Sequence, residues 1–318
     1  MTHDERLESL ADVARAYDGT DTDGFFLRPA PIEPSLKPVR QGVVDAAWPS
    51  ASVPFLADVG AAYAARVENR TARARLFSRD DEVGRRPVLV AVHGYLGGWF
   101  ALEEAAWPVA AFLRRGLDVA LPVLPFHGPR GGARRGPPPF PSADPRFSNE
   151  GFRQAAYDLE ALARWLRARG VPAVGIAGMS LGGYTSALLA TVSDAFDFAV
   201  PIIPLASVAD FAREHGRLGE GPTAELQHAA LERANAIVSP LARPLRLPSR
   251  RVLVVGAERD RITPLSHAER LSRHFACELF AIPGGHILQV GRSEAWRAML
   301  AMLEREGILK GKRSERVT

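Results

Sequence analysis

Gly175-Ile176-Ala177-Gly178-Met179-Ser180-Leu181-Gly182-Gly183-Tyr184 joins two runs of different character. The run before it, 171–177, is short, apolar and opened by Val171-Pro172, the pattern of a strand. The run after it, 181–192, is rich in Ala and Leu and predicts a helix. Ser180 therefore falls on a strand-to-helix turn. In a Gly-x-Ser-x-Gly turn the chain reverses within two residues, which strains the Ser backbone and requires neighbours without a Cβ. Gly178 and Gly182 are those neighbours. Such a turn thrusts the Ser180 hydroxyl out beyond the strand. It also turns the N–H of Leu181, at the helix start, toward the place where an oxyanion would form.

Outward from this turn, strand and helix patterns alternate. The β-branched run 86–92 reads as a strand buried on both faces, followed by a crossover helix over 103–115 and a second buried strand over 117–123. A long loop rich in Pro, Gly and Arg, 124–148, precedes a helix over 149–169. Beyond the turn, 197–204 is an apolar strand that Pro201 should bend. Residues 205–247 carry short helical patterns broken by Gly and Pro. Strands over 251–256 and 277–282 then alternate with helices over 265–275 and 293–306. This alternation predicts an α/β class chain: a doubly wound, mostly parallel sheet with helices on both faces and the site beyond the strands' carboxyl ends. Before residue 86 the signals differ. Residues 4–17 read as an amphipathic helix, 58–69 as another helix and 71–78 as a strand. The proline-rich stretch 25–54 reads as extended wrapping chain.

The order of these motifs resembles the serine-nucleophile branch of the α/β-hydrolase superfamily, over roughly 86–303. The elbow itself is similar to those of esterases, dienelactone hydrolases and serine oligopeptidases. The resemblance implies an α/β-hydrolase core over 86–204 and 248–306, a small helical cap at 205–247, an amino-terminal extension at 1–85 and a flexible tail at 307–318. It also implies that an acid and then a His follow the Ser. Gly256-Ala257-Glu258-Arg259-Asp260-Arg261-Ile262-Thr263-Pro264 is similar to the family's acid loop, so Asp260 is the expected acid, with Asp210 the alternative. Pro283-Gly284-Gly285-His286 puts His286 at the family's His position. The chemical need is general: a Ser hydroxyl is a poor nucleophile without a base beside it and a third group holding that base in the useful tautomer. His93-Gly94-Tyr95 is similar to the family's His-Gly-x pattern. The Tyr95 N–H is accordingly the expected second oxyanion donor beside Leu181, with Leu96 the fallback and His93 an orienting residue.

The candidate substrate-binding residues are Leu96, Met179, Trp99 and His127; Trp99, Phe126, Phe140 and Phe211 either line an acyl pocket or pack beneath the cap. The run Arg130-Gly131-Gly132-Ala133-Arg134-Arg135-Gly136 reads either as a solvated mobile loop or as a grip on an anionic group. The implied activity is cleavage of a carboxylic ester or thioester through an acyl-enzyme. A serine peptidase, an acyltransferase and a catalytically silent binding protein are the alternatives on the same fold.

Composition narrows the partners. The chain has 318 residues, 47% apolar and 24% charged, near globular averages. Its net charge of +4 comes from scattered Arg rather than a basic block, so no nucleic-acid partner is expected. One cysteine, Cys277, forms no internal disulfide. The start Met1-Thr2-His3-Asp4 lacks the pattern of a signal peptide, and no window is apolar enough for a membrane span. A cytoplasmic setting is expected, with a small-molecule ester or lipid-like acyl substrate. There is no pattern for a cofactor or metal, and none for an oligomeric state.

Overall fold

The computed structural model describes residues 2–79, 84–132 and 136–310. The chain opens with α1 (His3–Ala16), fixed by a capping box in which Thr2 and Glu5 satisfy each other's amides. There follow α2 (Thr22–Phe25), β1 (Ser35–Arg40), β2 (Val43–Pro49), α3 (Ala57–Ala64) and β3 (Thr71–Phe77). The alternating region then runs β4 (Val88–Val92), α4 (Phe100–Ala106), α5 (Val109–Arg114), β5 (Asp118–Pro122), α6 (Pro145–Ala168), β6 (Val174–Met179) and α7 (Leu181–Val192). It finishes with β7 (Phe198–Ile202), α8 (Val208–Glu214), α9 (Gly221–Ala234), β8 (Leu253–Ala257), α10 (Leu265–Phe275), β9 (Glu278–Ile282) and α11 (Arg292–Arg305).

Among the described residues the nine strands form one sheet in the order β1-β2-β3-β5-β4-β6-β7-β8-β9. From β5 to β9 the pairing is parallel; β1, β2 and β3 are added antiparallel at the β5 edge. The side-chain period of two divides the central strands between two cores. Val88, Val90 and Val92 face the apolar residues of α6 and α7. Leu89 and Ala91 face Trp107, Phe112 of α5, and Trp296 and Met299 of α11. Helices therefore cover both faces, which is why the strands read as unbroken apolar runs.

Four local departures have identifiable causes. Stretch 25–54 does not merely wrap: it holds the β1–β2 hairpin. Pro38 is tolerated because β1 is an exposed edge strand whose register shifts between Pro38 and Arg40, and Pro49 is the last residue of β2. The crossover helix breaks in two at Pro108. α6 starts earlier than expected because Pro145 stands in its first turn and the Asp144 carboxylate caps the Arg146 amide. Pro201 lacks an amide hydrogen, and between β7 and β8 the pairing reduces to Ile202 with Val255 and an isolated bridge from Ala199 to Val252.

The described residues of loop 124–144 pack inward, with Phe126, His127, Arg130 and Phe140 all buried. Arg130 donates to the Asp158 carboxylate (2.8 Å), the Asn69 carbonyl (2.8 Å) and the Val123 carbonyl (3.0 Å). It is thus neither solvated nor free to grip a ligand; Ala133, Arg134 and Arg135 of the same run lie outside the described residues. α6 also fastens the amino-terminal segment. The Glu150 carboxylate accepts from the amides of Phe55 and Leu56, and the Arg153 guanidinium donates to the carbonyls of Phe25 and Val53. In stretch 205–247, α9 lies along α1 and α8, and Tyr184 of α7 donates to the Val238 carbonyl at 3.0 Å. At the carboxyl end Leu309 is buried, its amide bonded to Leu303. Of the expected tail, residues 311–318 lie outside those described. Among the described residues no helix is long and apolar enough to cross a membrane.

Candidate active site

At the end of β6 the chain reverses at Ser180 with φ 55° and ψ −111°, a left-handed conformation that is costly for a residue with a Cβ. The turn is held by the Ser180 amide on the Ile202 carbonyl (3.0 Å) and the Tyr184 amide on the Ser180 carbonyl (2.9 Å). The flanking glycines are required sterically. A methyl at Gly178 would run into the Gly182 backbone, and one at Gly182 into the carbonyls of Val92 and His93.

Ser180 Oγ lies 2.9 Å from His286 Nε2, and His286 Nδ1 lies 2.8 Å from Asp260 Oδ2. The three side chains come from the loops after β6, β9 and β8, so the parallel pairing of those strands brings them to one end of the sheet. Asp260 is fully enclosed. Burial alone would raise its pKa. The hydrogen bond from His286 and the amides of Thr263 and Ile262 outweigh that and hold it below the ordinary carboxylate value. An ionised Asp260 keeps the proton of His286 on Nδ1, leaving the Nε2 lone pair toward Ser180. Asp210, the alternative acid, is engaged elsewhere: it bonds His228 (2.8 Å) and pairs with Arg270. Asp210, His228 and Glu232 have the donor set of a cation site, but the Arg270 guanidinium already lies against both carboxylates.

The loop after β4 runs alongside the turn; the position of a Cβ at Gly94 is 3.6 Å from that of Ser180. Leu181 is the first residue of α7, so its amide has no partner inside the helix. His93 fixes the neighbouring loop, donating from Nδ1 to the Gly94 carbonyl (2.8 Å) and accepting the Leu124 amide at Nε2 (3.0 Å). Burial, with His127 beside it, lowers the His93 pKa to about 3, so the ring is neutral and its tautomer is set by these two bonds. Tyr95 and Leu96 follow on this loop, both exposed, Leu96 with φ 69°. Trp99 is exposed at the start of α4, and Met179 is half-buried with its sulfur 4.0 Å from Gln289 Nε2. His127 corrects the expectation made for it. Its ring has no exposed surface, donates to the Pro125 carbonyl and packs on His93, so it offers no face to a substrate.

Thr263 lies in the acid loop, but the sequence motifs give it no role. Its hydroxyl lies 3.1 Å from both Asp260 Oδ2 and His286 Nδ1, and it donates to the Ile203 carbonyl at 3.0 Å. An Asp with a Thr three residues on, just before a helix, is a capping spacing that could have pointed to it.

The architecture has close parallels among solved structures. An acetyl xylan esterase from Paenibacillus sp. R4 superposes with a TM-score of 0.59 over 93% of this chain and 92% of its own, at 16% identity. The chain has the α/β-hydrolase fold. Acetyl xylan esterase 1 from Thermoanaerobacterium sp. JW/SL YS485 gives 0.57 at 17% identity, over 94% and 93% of the two chains. A puromycin-hydrolysing peptidase of Mycobacterium tuberculosis gives 0.53 at 17% identity, over 83% of this chain and 46% of that one. In sequence, this α/β-hydrolase-fold chain is 28% identical over 303 residues to an uncharacterised protein of M. tuberculosis, present in strains CDC 1551 / Oshkosh and H37Rv; the match covers 92% of this chain and 72% of the relative. No protein-family model matches. The esterase superpositions leave only 6–7% of the chain uncovered, so the shared α/β-hydrolase architecture reaches well into the first 85 residues, where the sequence resemblance had not been expected to extend.

Proposed function

We propose that this protein is a serine hydrolase that cleaves a carboxylic ester or thioester through an acyl-enzyme. The observation that carries the proposal is the continuous series from Ser180 Oγ to His286 Nε2 and from His286 Nδ1 to Asp260, seated at the strained turn. In this reading Ser180 Oγ attacks the substrate carbonyl carbon while its proton passes to His286 Nε2. The imidazolium, stabilised by Asp260, gives that proton to the leaving alkoxide or thiolate. Water then attacks the acyl-enzyme, losing a proton to His286 Nε2, and Ser180 regains its own as the acid departs. The amides of Leu181 and Tyr95 hold the oxyanion in both halves. Leu96, Met179 and Trp99 flank the acyl group. A neutral His93 serves this scheme as a positioning residue, keeping the Tyr95 loop in place without adding charge near the oxyanion.

The acetyl xylan esterase neighbours make short acyl esters the first substrates to try. p-Nitrophenyl esters of increasing chain length are expected to turn over with the wild type, and Ser180→Ala to lower kcat by at least about 10³-fold. A fluorophosphonate should label the wild type on Ser180 only. Equal hydrolysis by Ser180→Ala, or absence of labelling in the folded wild type, overturns the assignment. Matched amides in parallel separate an esterase from a peptidase.

A further inference from the structure

The segments that follow β4 and β9, whose loops reach Ser180, carry apolar side chains that the fold leaves in water. Leu96, Trp99 and Leu102 follow β4, and Ile287, Leu288 and Val290 follow β9. Among the described residues ten large apolar side chains are more than half exposed, and these are six of the ten. They do not come together by accident of sequence. Gly94 lies against Ser180 on one side. On the other, His286 bonds Ser180 and Gln289 reaches the Met179 sulfur and the His286 carbonyl, so the two loops stand on either side of the nucleophile. Ile287 is 85% exposed and Leu288 76%, the two most exposed large apolar side chains among the described residues.

The charge beside this rim favours one kind of cover. Arg259 and Arg261 are exposed on the loop after β8, just before Ile262, and Arg292 opens α11 just beyond Val290. None of the three is in an ion pair among the described residues, and Glu258 is the one exposed acid on the same loop as Arg259 and Arg261. Apolar tips with unpaired guanidinium groups on the loop and helix start beside them match a surface of acyl chains beneath anionic headgroups. We propose that the two loops dock the protein on an anionic lipid surface, with the site mouth facing it, so that the ester is drawn from the lipid phase. The substrate-class part of this rests on the serine hydrolase reading; the docking does not.

The molecule carries its own probe. Of its five tryptophans Trp99 is 54% exposed, whereas Trp48, Trp107, Trp165 and Trp296 are each 8% exposed or less. Vesicles of brominated phosphatidylcholine, with and without brominated phosphatidylglycerol, therefore report Trp99 insertion through quenching. Quenching is expected with the anionic vesicles at low salt and is expected to fall away in high salt. Partitioning should weaken at least about tenfold in Ile287→Ser/Leu288→Ser and roughly thirtyfold in Arg259→Gln/Arg261→Gln. Both variants alter exposed side chains and should keep their far-UV spectrum and their turnover of a water-soluble ester. Absence of quenching by anionic vesicles, equal quenching by neutral ones, or quenching unchanged in both variants overturns the proposal. Ser180→Ala should be quenched like the wild type. A wild type that is quenched but hydrolyses no ester therefore sinks the enzymatic reading and leaves the docking intact.

Discussion

Asp260 is shut away from water and yet holds its charge, because every oxygen of its carboxylate accepts a hydrogen bond: Oδ1 from two amides, Oδ2 from His286. A depressed folded pKa contributes stability that is present above the ordinary carboxylate value and lost as pH falls through the folded one. Replacing the charge is more damaging to the proposed chemistry than to the fold. In Asp260→Asn the amide group can donate to Nδ1 and so favours the wrong tautomer of His286, and kcat should fall about 10⁴-fold with an unchanged far-UV spectrum. A small effect would relocate the acid. His93 gives a prediction of opposite electrostatic origin. Its folded pKa, about 3, is below the unfolded value of about 6.5, so between those values the unfolded state binds more protons and stability rises with pH. Urea unfolding of the wild type from pH 6.5 down to 5 should lose stability faster than that of His93→Asn. The difference in slope should approach about 1.4 kcal/mol per pH unit; parallel curves would mean the ring is not buried neutral.

At the scale of elements, loop 124–144 is held by one buried ion pair to α6. Burial lowers the pKa of Arg130 and raises that of Asp158, and each is kept charged by the other. Removing one partner strands a charge, so Arg130→Met should cost about 3–5 kcal/mol, while Arg130→Met combined with Asp158→Leu should recover most of that. Chemical denaturation of the three proteins checks it, and equal losses in single and double variants would count against the pair. This loop also marks where sequence reading stops. The strands over 88–92 and 174–179 were legible because burial on both faces leaves continuous apolar runs, and the Ser180 turn because its glycines are sterically obligatory. Arg130 was not, since nothing in a Gly/Pro/Arg-rich stretch announces an acid 28 residues later on a helix. Pro38 misled for a related reason: proline excludes a central strand, but whether an edge is present depends on the rest of the sheet. His127 looked like a residue of the site wall until Phe140 and His93 closed around it.

For the whole molecule, the order of the strands sets the order in which the chain can complete itself. β3 pairs with β5, not with the strand that follows it, so the amino-terminal meander has nothing to join until residue 122 exists. Its fastenings at Glu150 and Arg153 come later still. α1 lies along α9, which ends at residue 234 of 318. During synthesis α1 must therefore wait, with Leu10 and Val13 uncovered, for a partner made much later. Pulse-labelled hydrogen exchange during refolding should find the amides of α1 protected after those of β4 and β6, and simultaneous protection would contradict this sequence of events. Shortened nascent chains that end before α9 should accordingly be clients of chaperones that bind apolar helix faces, so that the cellular yield of this protein is governed by the late pairing of α1 with α9 as much as by its core.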